Sequence, residues 1–347
     1  MTFHIELRTR DGQPLAFDCA PGQNLIDAAE AVSILFPSQC RQGSCGACHA
    51  SVTAGDYTLG THSPDALPSS PNGQNGQSGA ILMCCTTPQS DLRIALPFDH
   101  SKILFQSVPR RSADIIALEP VADNTVRLEL RLQPDADCGS AAEFEPGQFI
   151  EIEVPGSDQR RAYSLANTGN WDGRLELLIR LQPGGLFSDF LRSSAQPGTV
   201  LTVRGPQGAF GLDATSLRPR WFVAGGTGLA PVLSMLRHMA EFGETHEARL
   251  FFGVNRESEL FALDELERLK AELPQLKVDV CVWKPEGDWQ GFTGTPADAL
   301  QQALSEAPVQ PDIYLCGPAP LVNAVESAAA AFDVPMERVF SERFLPG

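Results

Sequence analysis

Four cysteines form the most specific chemical pattern in the sequence. Cys40, Cys45 and Cys48 follow the spacing C-x4-C-x2-C, and Cys84 lies further along the chain. Thiolates at this spacing hold the two irons of a [2Fe–2S] cluster, and the glycines between them let backbone N–H groups approach the sulfurs. A zinc site usually shows two C-x2-C pairs or added histidines, whereas this sequence has only one such pair. The pattern therefore predicts iron–sulfur redox chemistry rather than a zinc site or a disulfide framework.

The fourth cluster ligand is ambiguous because Cys84 and Cys85 are adjacent. The apolar run at residues 80–83 predicts a strand that delivers the next residue to the cluster. We therefore expect Cys84 to bind iron and keep Cys85 as the alternative. His49 directly follows the third ligand, but four cysteines already complete the set, so we expect it to be a bystander.

A second chemical pattern is Arg-Ala-Tyr-Ser-Leu-Ala-Asn, which runs from Arg161 to Asn167. It resembles the flavin motif R-x-Y-S/T of the ferredoxin–NAD(P)+ reductase superfamily. An arginine can bind a diphosphate through two hydrogen bonds, and Tyr163 can pack on the isoalloxazine ring or the ribityl chain. The hydroxyl of Ser164 can hydrogen-bond flavin N5, the atom that receives hydride. The resemblance therefore implies FAD, with Ser164 at the reacting atom and Asn167 among the binding residues.

Two more motifs of that superfamily follow in order. Gly184, Gly185 and Ser188 open a short predicted helix, and the free N–H groups at a helix N-terminus can bind a diphosphate. Residues 205–210, Gly-Pro-Gln-Gly-Ala-Phe, then close the region as they do in the superfamily. The three matches together strengthen the prediction of FAD.

A glycine-rich turn lies between a strand and a helix in the last part of the chain. Residues 221–224 are predicted as a buried strand, and apolar residues at helical spacing follow the turn. Such a turn lets the backbone approach a pyrophosphate, and the helix dipole favours its charge. The predicted nicotinamide dinucleotide contacts in this turn are Gly225, Gly226, Thr227, Gly228 and Pro231.

Two later segments complete the predicted nicotinamide site. Cys316, Gly317 and Pro318 follow a predicted strand and resemble the C-G motif of the superfamily, which implies a cysteine near the nicotinamide C4. A buried core cysteine is the alternative. Phe344 matches the near-terminal aromatic that covers the flavin in related reductases, and a core position beside the last strand is its alternative.

The loop after residue 254 bears on the choice between NADH and NADPH. A 2′-phosphate would need several cations there, whereas a free ribose diol prefers an acidic acceptor. Glu257 and Glu259 outnumber the single cation Arg256 in this loop. We therefore expect NADH, with Glu257 on the ribose.

The elements that must position these residues change in type along the chain. Residues 1–99 show two alternating strands, a helix and the cysteine loop, which resemble the β-grasp architecture of plant-type ferredoxins. Residues 100–212 show short alternating strands with Pro-Gly turns, which predict an antiparallel β-barrel that binds FAD. Residues 213–347 alternate strand and helix, which predicts an α/β domain with a parallel sheet for NAD(H).

Composition limits the partners and the compartment. The 347 residues carry a formal charge of −17, which argues against nucleic acid or an anionic membrane as a partner. No apolar run approaches the ~18 residues needed to span a bilayer, and the N-terminus lacks the pattern of a secretion signal. Nine cysteines less four ligands leave five scattered thiols, which favours a reducing cytoplasm.

Taken in order, these motifs resemble the reductase components of bacterial multicomponent oxygenases, particularly those of soluble methane/butane monooxygenases. The resemblance implies that NADH gives hydride to FAD and that the cluster passes single electrons to a diiron hydroxylase. The alternatives are a reductase of an aromatic dioxygenase or phenol hydroxylase, and a redox sensor or scaffold without turnover. The sequence departs from these relatives at Cys85, where they usually have arginine, at Arg343, where they usually have lysine, and in the uncharged loop at residues 68–79.

Overall fold

A computed structural model divides the chain into two compact units, Met1–Val108 and Pro109–Gly347. The first unit therefore extends past residue 99, where the sequence pattern places the end of the first domain. Most of the predicted uncharged loop at residues 68–79 lies outside the part that the structure describes. None of the described helices combines the length and apolar character required to cross a bilayer. The structure describes residues 2–38, 40–67, 79–105 and 107–344.

The first unit is built on a mixed sheet. Its described strands and helix are β1 (Phe3–Arg8), β2 (Pro14–Cys19), α1 (Leu25–Ala31), β3 (His49–Ala54), β4 (Tyr57–Leu59), β5 (Ala80–Leu82), β6 (Thr86–Pro88) and β7 (Leu92–Ala95). Five strands form a sheet in the order β2-β1-β7-β3-β5, in which β1 and β7 run parallel and the other pairs antiparallel. Alternation buries Ile5 and Leu7 of β1 against Leu25 and Ala29 of α1. The arrangement confirms the predicted β-grasp architecture.

The first hairpin differs from its prediction. The Asp11-Gly12 pair predicts a two-residue turn, but β1 ends at Arg8 and β2 begins at Pro14. The intervening loop is closed by Thr9, whose N–H donates to the Gln13 carbonyl at 3.0 Å and whose hydroxyl accepts from the Gln13 N–H at 2.9 Å. These two hydrogen bonds between Thr9 and Gln13 close the loop, so the strand pairing ends at Arg8 and Pro14.

The second unit begins with an antiparallel barrel. Its elements are β8 (Arg110–Ala122), β9 (Thr125–Leu132), β10 (Phe149–Glu153), β11 (Arg160–Ser164), β12 (Arg174–Arg180), α2 (Leu186–Ser193) and β13 (Val200–Gln207). The strand order is β11-β10-β13-β8-β9-β12, and a bridge between Leu165 and Leu177 joins the two edge strands. This closure confirms the predicted barrel and holds β11, which carries the Arg-Ala-Tyr-Ser motif, at the seam.

A parallel sheet follows the barrel in the same unit. Its elements are β14 (Arg220–Gly225), α3 (Leu229–Glu241), β15 (Ala248–Val254), α4 (Leu263–Glu272), β16 (Leu276–Val282), β17 (Phe292–Thr293), α5 (Pro296–Glu306), β18 (Asp312–Pro318), α6 (Ala319–Ala331) and β19 (Val339–Phe344). The strand order is β17-β16-β15-β14-β18-β19, with all neighbours parallel. From β14 the chain builds the sheet outward through β15, β16 and β17 on one side, and then through β18 and β19 on the other. The carboxyl ends of β14 and β18 therefore form the switch point where such sheets bind ligands.

A largely buried ion network joins the barrel to this sheet. Arg237 of α3 donates to the Ala166 carbonyl at 2.8 Å, to Glu176 of β12 at 3.2 Å and to Glu265 of α4 at 2.6 Å. Arg127 of β9 lies 3.5 Å from Glu176. Removing one member would leave uncompensated buried charge. The network therefore holds barrel strands β9 and β12 against helices α3 and α4.

Candidate redox sites

The cysteine loop folds around the sulfur of Cys40. The backbone N–H groups of Gln42, Ser44 and Cys45 each donate to Cys40 Sγ at 3.4 Å. Hydrogen bonding by the Cys45 thiol, helped by these N–H groups, lowers the pKa of Cys40 to about 5. The loop is therefore preorganised to hold a thiolate at this position.

The predicted ligands meet as two thiol pairs. Cys40 contacts Cys45, and the contact with Cys48 raises the pKa of Cys84. Two thiolate pairs are the donor set of two irons that each take two cysteines, so the residues fit a [2Fe–2S] cluster. The described residues contain no group of three or more His, Cys, Asp or Glu side chains arranged for a single metal ion. The fit of these cysteines with a [2Fe–2S] cluster therefore rests on the two thiol pairs.

Strand register explains why Cys48 and Cys84 meet. His49 of β3 pairs with Leu82 of β5, so the residues that flank this pair lie at the same end of the sheet. A 3-10 turn at Met83–Cys85 follows β5, and the Met83 N–H donates to the Cys48 carbonyl at 3.0 Å. The sequence predicts Cys84 as the residue after a strand, and the structure presents it from this short turn.

Arg41 ties the cysteine loop to helix α1. It adopts a left-handed φ of 53°, and its Nη1 lies 2.5 Å from Glu30 and 3.7 Å from Asp27. Its side chain is 16% exposed, so it is held against the protein rather than extended into solvent. The arginine therefore anchors the ligand loop to a regular element.

A substitution at Gly43 tests whether the cysteine loop needs a glycine there to hold its cluster. Its φ is +73°, and an added Cβ would lie 2.6 Å from Cys85 Sγ and 2.9 Å from His62 Cβ. We expect Gly43→Ala to lose most of its iron and labile sulfide, because strain of about 1–2 kcal/mol adds to this clash. Gly12→Ala is the matched control, since Gly12 has a φ of +84° but open space around it. Equal cluster content in the two variants would contradict the role of the clash.

The flavin-motif residues lie on β11, beside the N-terminus of α2. The Tyr163 ring is 5.6 Å from that of Phe187 in α2, and burial raises the pKa of Tyr163. Gly185 precedes the first residue of α2, and the Ser188 hydroxyl accepts from the Gln182 N–H at 2.9 Å. The structure thus brings the two predicted flavin segments together.

The remaining flavin candidates differ in what their side chains do. Arg161 donates to the Gln159 side chain at 2.6 Å and to the Arg160 carbonyl at 3.0 Å. Gly184 has a φ of +71° with open space around it. Asn167 donates to the Arg174 carbonyl at 2.8 Å and accepts from the backbone N–H of β12 residue 176 at 2.9 Å. The amide of Asn167 therefore fastens β12, and its flavin contact stays a prediction.

The predicted nicotinamide segments also meet. A Cβ added at Gly228 would lie 2.1 Å from the Cys316 carbonyl oxygen, and one at Gly225 would lie 3.1 Å from Pro318. Glycine at these positions is what allows the turn after β14 to approach the end of β18. Gly226 and Thr227 lie in the same turn, Pro231 is buried in the first turn of α3, and Gly317 follows Cys316.

Sequence reasoning missed a residue, Glu342, that links the predicted flavin segment to the predicted nicotinamide segment. Glu342 of β19 is 7% exposed and accepts from the Ser164 hydroxyl at 2.7 Å and from the Cys316 thiol at 3.7 Å. Burial raises its pKa from 4.5 to about 7, against the opposing effect of these two hydrogen bonds. The β18–β19 register pairs Cys316 with Glu342. The cluster Ser164–Cys316–Glu342 is hereafter called the buried triad.

Phe344 belongs to the same strand, and its Cα pairs with that of Pro318. Its side chain lies outside the described part of the chain, so the predicted cover of the flavin stays a prediction. No local sequence pattern singles out Glu342, which lies two positions earlier in this strand.

The acidic loop after β15 is held by its own carboxylates. Both oxygens of Glu257 accept from the Glu286 N–H at 2.9 Å, and Glu259 accepts from the Asn255 N–H at 3.0 Å. Glu257 thereby joins the loop after β15 to the segment after β16. A ribose contact from Glu257 stays a prediction, and it would have to share this carboxylate.

Family models match three successive segments of the chain. A 2Fe-2S iron-sulfur cluster binding domain matches residues 8–89. An oxidoreductase FAD-binding domain matches residues 112–211, and an oxidoreductase NAD-binding domain matches residues 222–327. These matches confirm the predicted cofactor classes.

Known proteins resemble this chain over most of its length. Methane monooxygenase component C of Methylosinus trichosporium is 39% identical over 303 residues, which cover 87% of each chain. The toluate 1,2-dioxygenase electron transfer component of Pseudomonas putida is 34% identical over 99% of each. The reductase component of propane 2-monooxygenase from Rhodococcus jostii is 30% identical over 96% of this chain and 90% of its own. Among solved structures, Amycolatopsis cytochrome P450 reductase GcoB superposes with a TM-score of 0.76 and 29% identity, covering 99% of both chains.

Proposed function

The chain belongs to the family of iron–sulfur flavoprotein reductases that serve oxygenases as electron-transfer components, and we propose that it is the NADH-dependent reductase of a methane/alkane-type multicomponent monooxygenase. Its partner in this role is a diiron hydroxylase. One observation carries the proposal: a single chain holds two thiol pairs in its first unit and the buried triad in its second. Such a chain can accept electrons in pairs and release them singly.

Each unit contributes residues suited to one part of this reaction. When bound, FAD takes a hydride from NADH and gives up its electrons one at a time, and the cluster relays single electrons. Ser164 presents its hydroxyl at the seam of the barrel, and Glu342 fixes that hydroxyl and the Cys316 thiol from the sheet side. In the first unit, the N–H groups that donate to Cys40 Sγ would stabilise negative charge on a cluster held by that sulfur.

The same proposal places the protein in the cytoplasm and assigns NADH as the donor. None of the nine cysteines, which are all among the residues that the structure describes, forms a disulfide, which suits a reducing compartment. The acidic loop around Glu257 suits a ribose diol better than a 2′-phosphate. The relative from Pseudomonas putida supports a second candidate, a dioxygenase reductase, because its similarity also covers nearly the whole chain.

The test begins with the purified protein as it is isolated. We expect flavin and iron–sulfur absorbance, stoichiometric iron and labile sulfide, and bleaching of both chromophores by NADH but not by NADPH at equal concentration. A colourless protein, or one that binds the cofactors without oxidising NADH in the presence of ferricyanide, would overturn the proposal. Coupled turnover with purified hydroxylases then separates the candidates, since an alkane-type diiron hydroxylase should be supported and a ring-hydroxylating dioxygenase should not.

A further inference from the structure

A fifth cysteine lies within the cluster site. Cys85 Sγ is 3.6 Å from Cys84 Sγ, and it occupies the space over Gly43, 2.6 Å from where a Cβ would stand. Its backbone is fixed because the Gly60 N–H donates to the Cys85 carbonyl at 2.8 Å. The loop thus leaves room for this thiol by having a glycine at position 43.

The direction of the hydrogen bond follows from the chemistry of the ligands. A cysteine that binds iron does so as a thiolate, so its sulfur has no proton and can only accept. Cys85 keeps an S–H group, which is a weak donor. With Cys84 on iron, the contact at 3.6 Å can only be Cys85 S–H donating to Cys84 Sγ.

Such a hydrogen bond acts on the reduction potential. Reduction adds negative charge to the cluster, part of which resides on the cysteine sulfurs. A donor aimed at a ligand sulfur therefore stabilises the reduced form more than the oxidised form. Backbone N–H groups supply this effect at Cys40, on the other thiol pair.

We propose that Cys85 is a positioning residue that raises the reduction potential of the cluster by donating its S–H to the ligand Cys84. The inference rests on the proposed cluster site. Cys85 binds no iron in this arrangement; it acts through Cys84 alone. The effect makes the cluster a better acceptor of electrons from the second unit.

The experiment uses the full chain with its cofactors and the variants Cys85→Ala, Cys85→Val and Cys85→Ser. Iron and labile sulfide are counted first, and the midpoint potential is then measured by redox titration followed by electron paramagnetic resonance of the reduced cluster. We expect all three variants to retain the cluster. The potential should fall in Cys85→Ala and Cys85→Val, and Cys85→Ser should restore it because the hydroxyl is a donor.

The variants separate the proposal from its rivals. Cys85→Val fills the space without a donor, so a shift shared with Cys85→Ala does not come from water entering a void. Unchanged potentials in all three, or an equal fall in Cys85→Ser, would overturn the inference. Loss of the cluster in Cys85→Ala with retention in Cys84→Ala would also overturn it, since Cys85 would then be the ligand. Absence of iron in the unmodified protein would instead remove the proposed function itself.

Discussion

Cys40→Ala is expected to abolish electron transfer to a one-electron protein acceptor while flavin reduction by NADH continues at its normal rate. The substitution removes one predicted iron ligand and the acceptor of three backbone N–H groups that shape the loop. The predicted FAD and nicotinamide residues all lie in the unit Pro109–Gly347, which has its own cores. Stopped-flow absorbance at the flavin and iron–sulfur bands, followed by reduction of a hydroxylase or cytochrome, measures both steps.

Cys19→Ala is the matched control for this experiment. Cys19 is fully buried in the first unit and donates to the Gln23 carbonyl at 3.4 Å, so its removal disturbs that core without touching a predicted ligand. We expect this variant to keep its iron and its transfer rate. If Cys40→Ala also loses flavin reduction, the serial order from flavin to cluster is wrong. If it still reduces the acceptor, electrons leave by another route.

The element types could be predicted because they depend on short stretches of sequence, and the assignment of the iron ligands, which stays a prediction, depends on a short spacing in the same way. Cys40, Cys45 and Cys48 lie within one short loop. The strand, turn and helix around Gly225 and Gly228 also lie within one continuous stretch of sequence. Pairing of the thiols was not predictable, since Cys48 meets Cys84 only through the register of β3 on β5.

The main omission, Glu342, depends on contacts that no local pattern contains. Ser164 and Glu342 are 178 residues apart in sequence, and they meet because the barrel seam packs beside the outer strand of the sheet. The burial that raises the Glu342 pKa is equally a product of tertiary packing. A glutamate in a terminal strand reads locally as a solvent-facing residue, so its sequence context predicts the opposite environment.

Glu257 shows the complementary case, in which the residue type suggested a role that stays a prediction but did not reveal the contact that its side chain makes. The sequence places an acidic residue where a ribose would be bound, whereas the structure shows its carboxylate accepting from the Glu286 backbone. That partner lies beyond the next strand, and only the parallel pairing of β15 with β16 brings it near.

Glu342→Ala is expected to slow flavin reduction by NADH by about 10–100-fold, which corresponds to about 1.5–3 kcal/mol for a hydrogen bond to a charged group. The substitution leaves the Ser164 hydroxyl and the Cys316 thiol without their acceptor. Both groups then lose the orientation that the carboxylate imposes. The rate is measured by stopped flow at saturating NADH on protein whose FAD content has been matched to the unmodified chain.

Glu337→Gln is the control for charge, because Glu337 is exposed just before β19. We expect it to leave the rate unchanged. A Glu342→Ala variant that reduces its flavin at the normal rate would show that Ser164 and Cys316 do not need this carboxylate.

Glu342→Gln is expected to remove a break near pH 7 from the pH profile of flavin reduction. Burial raises the Glu342 pKa to about 7, so the carboxyl is protonated below that pH and ionised above it. The ionised carboxylate accepts hydrogen bonds from both the Ser164 hydroxyl and the Cys316 thiol, whereas the protonated carboxyl is a weaker acceptor. The rate in the unmodified protein should therefore fall as pH decreases through about 7, and the glutamine amide, which does not ionise, should give a flat profile. A break that survives in Glu342→Gln belongs to another group, and Glu342 then serves only to join the barrel seam to the last strand.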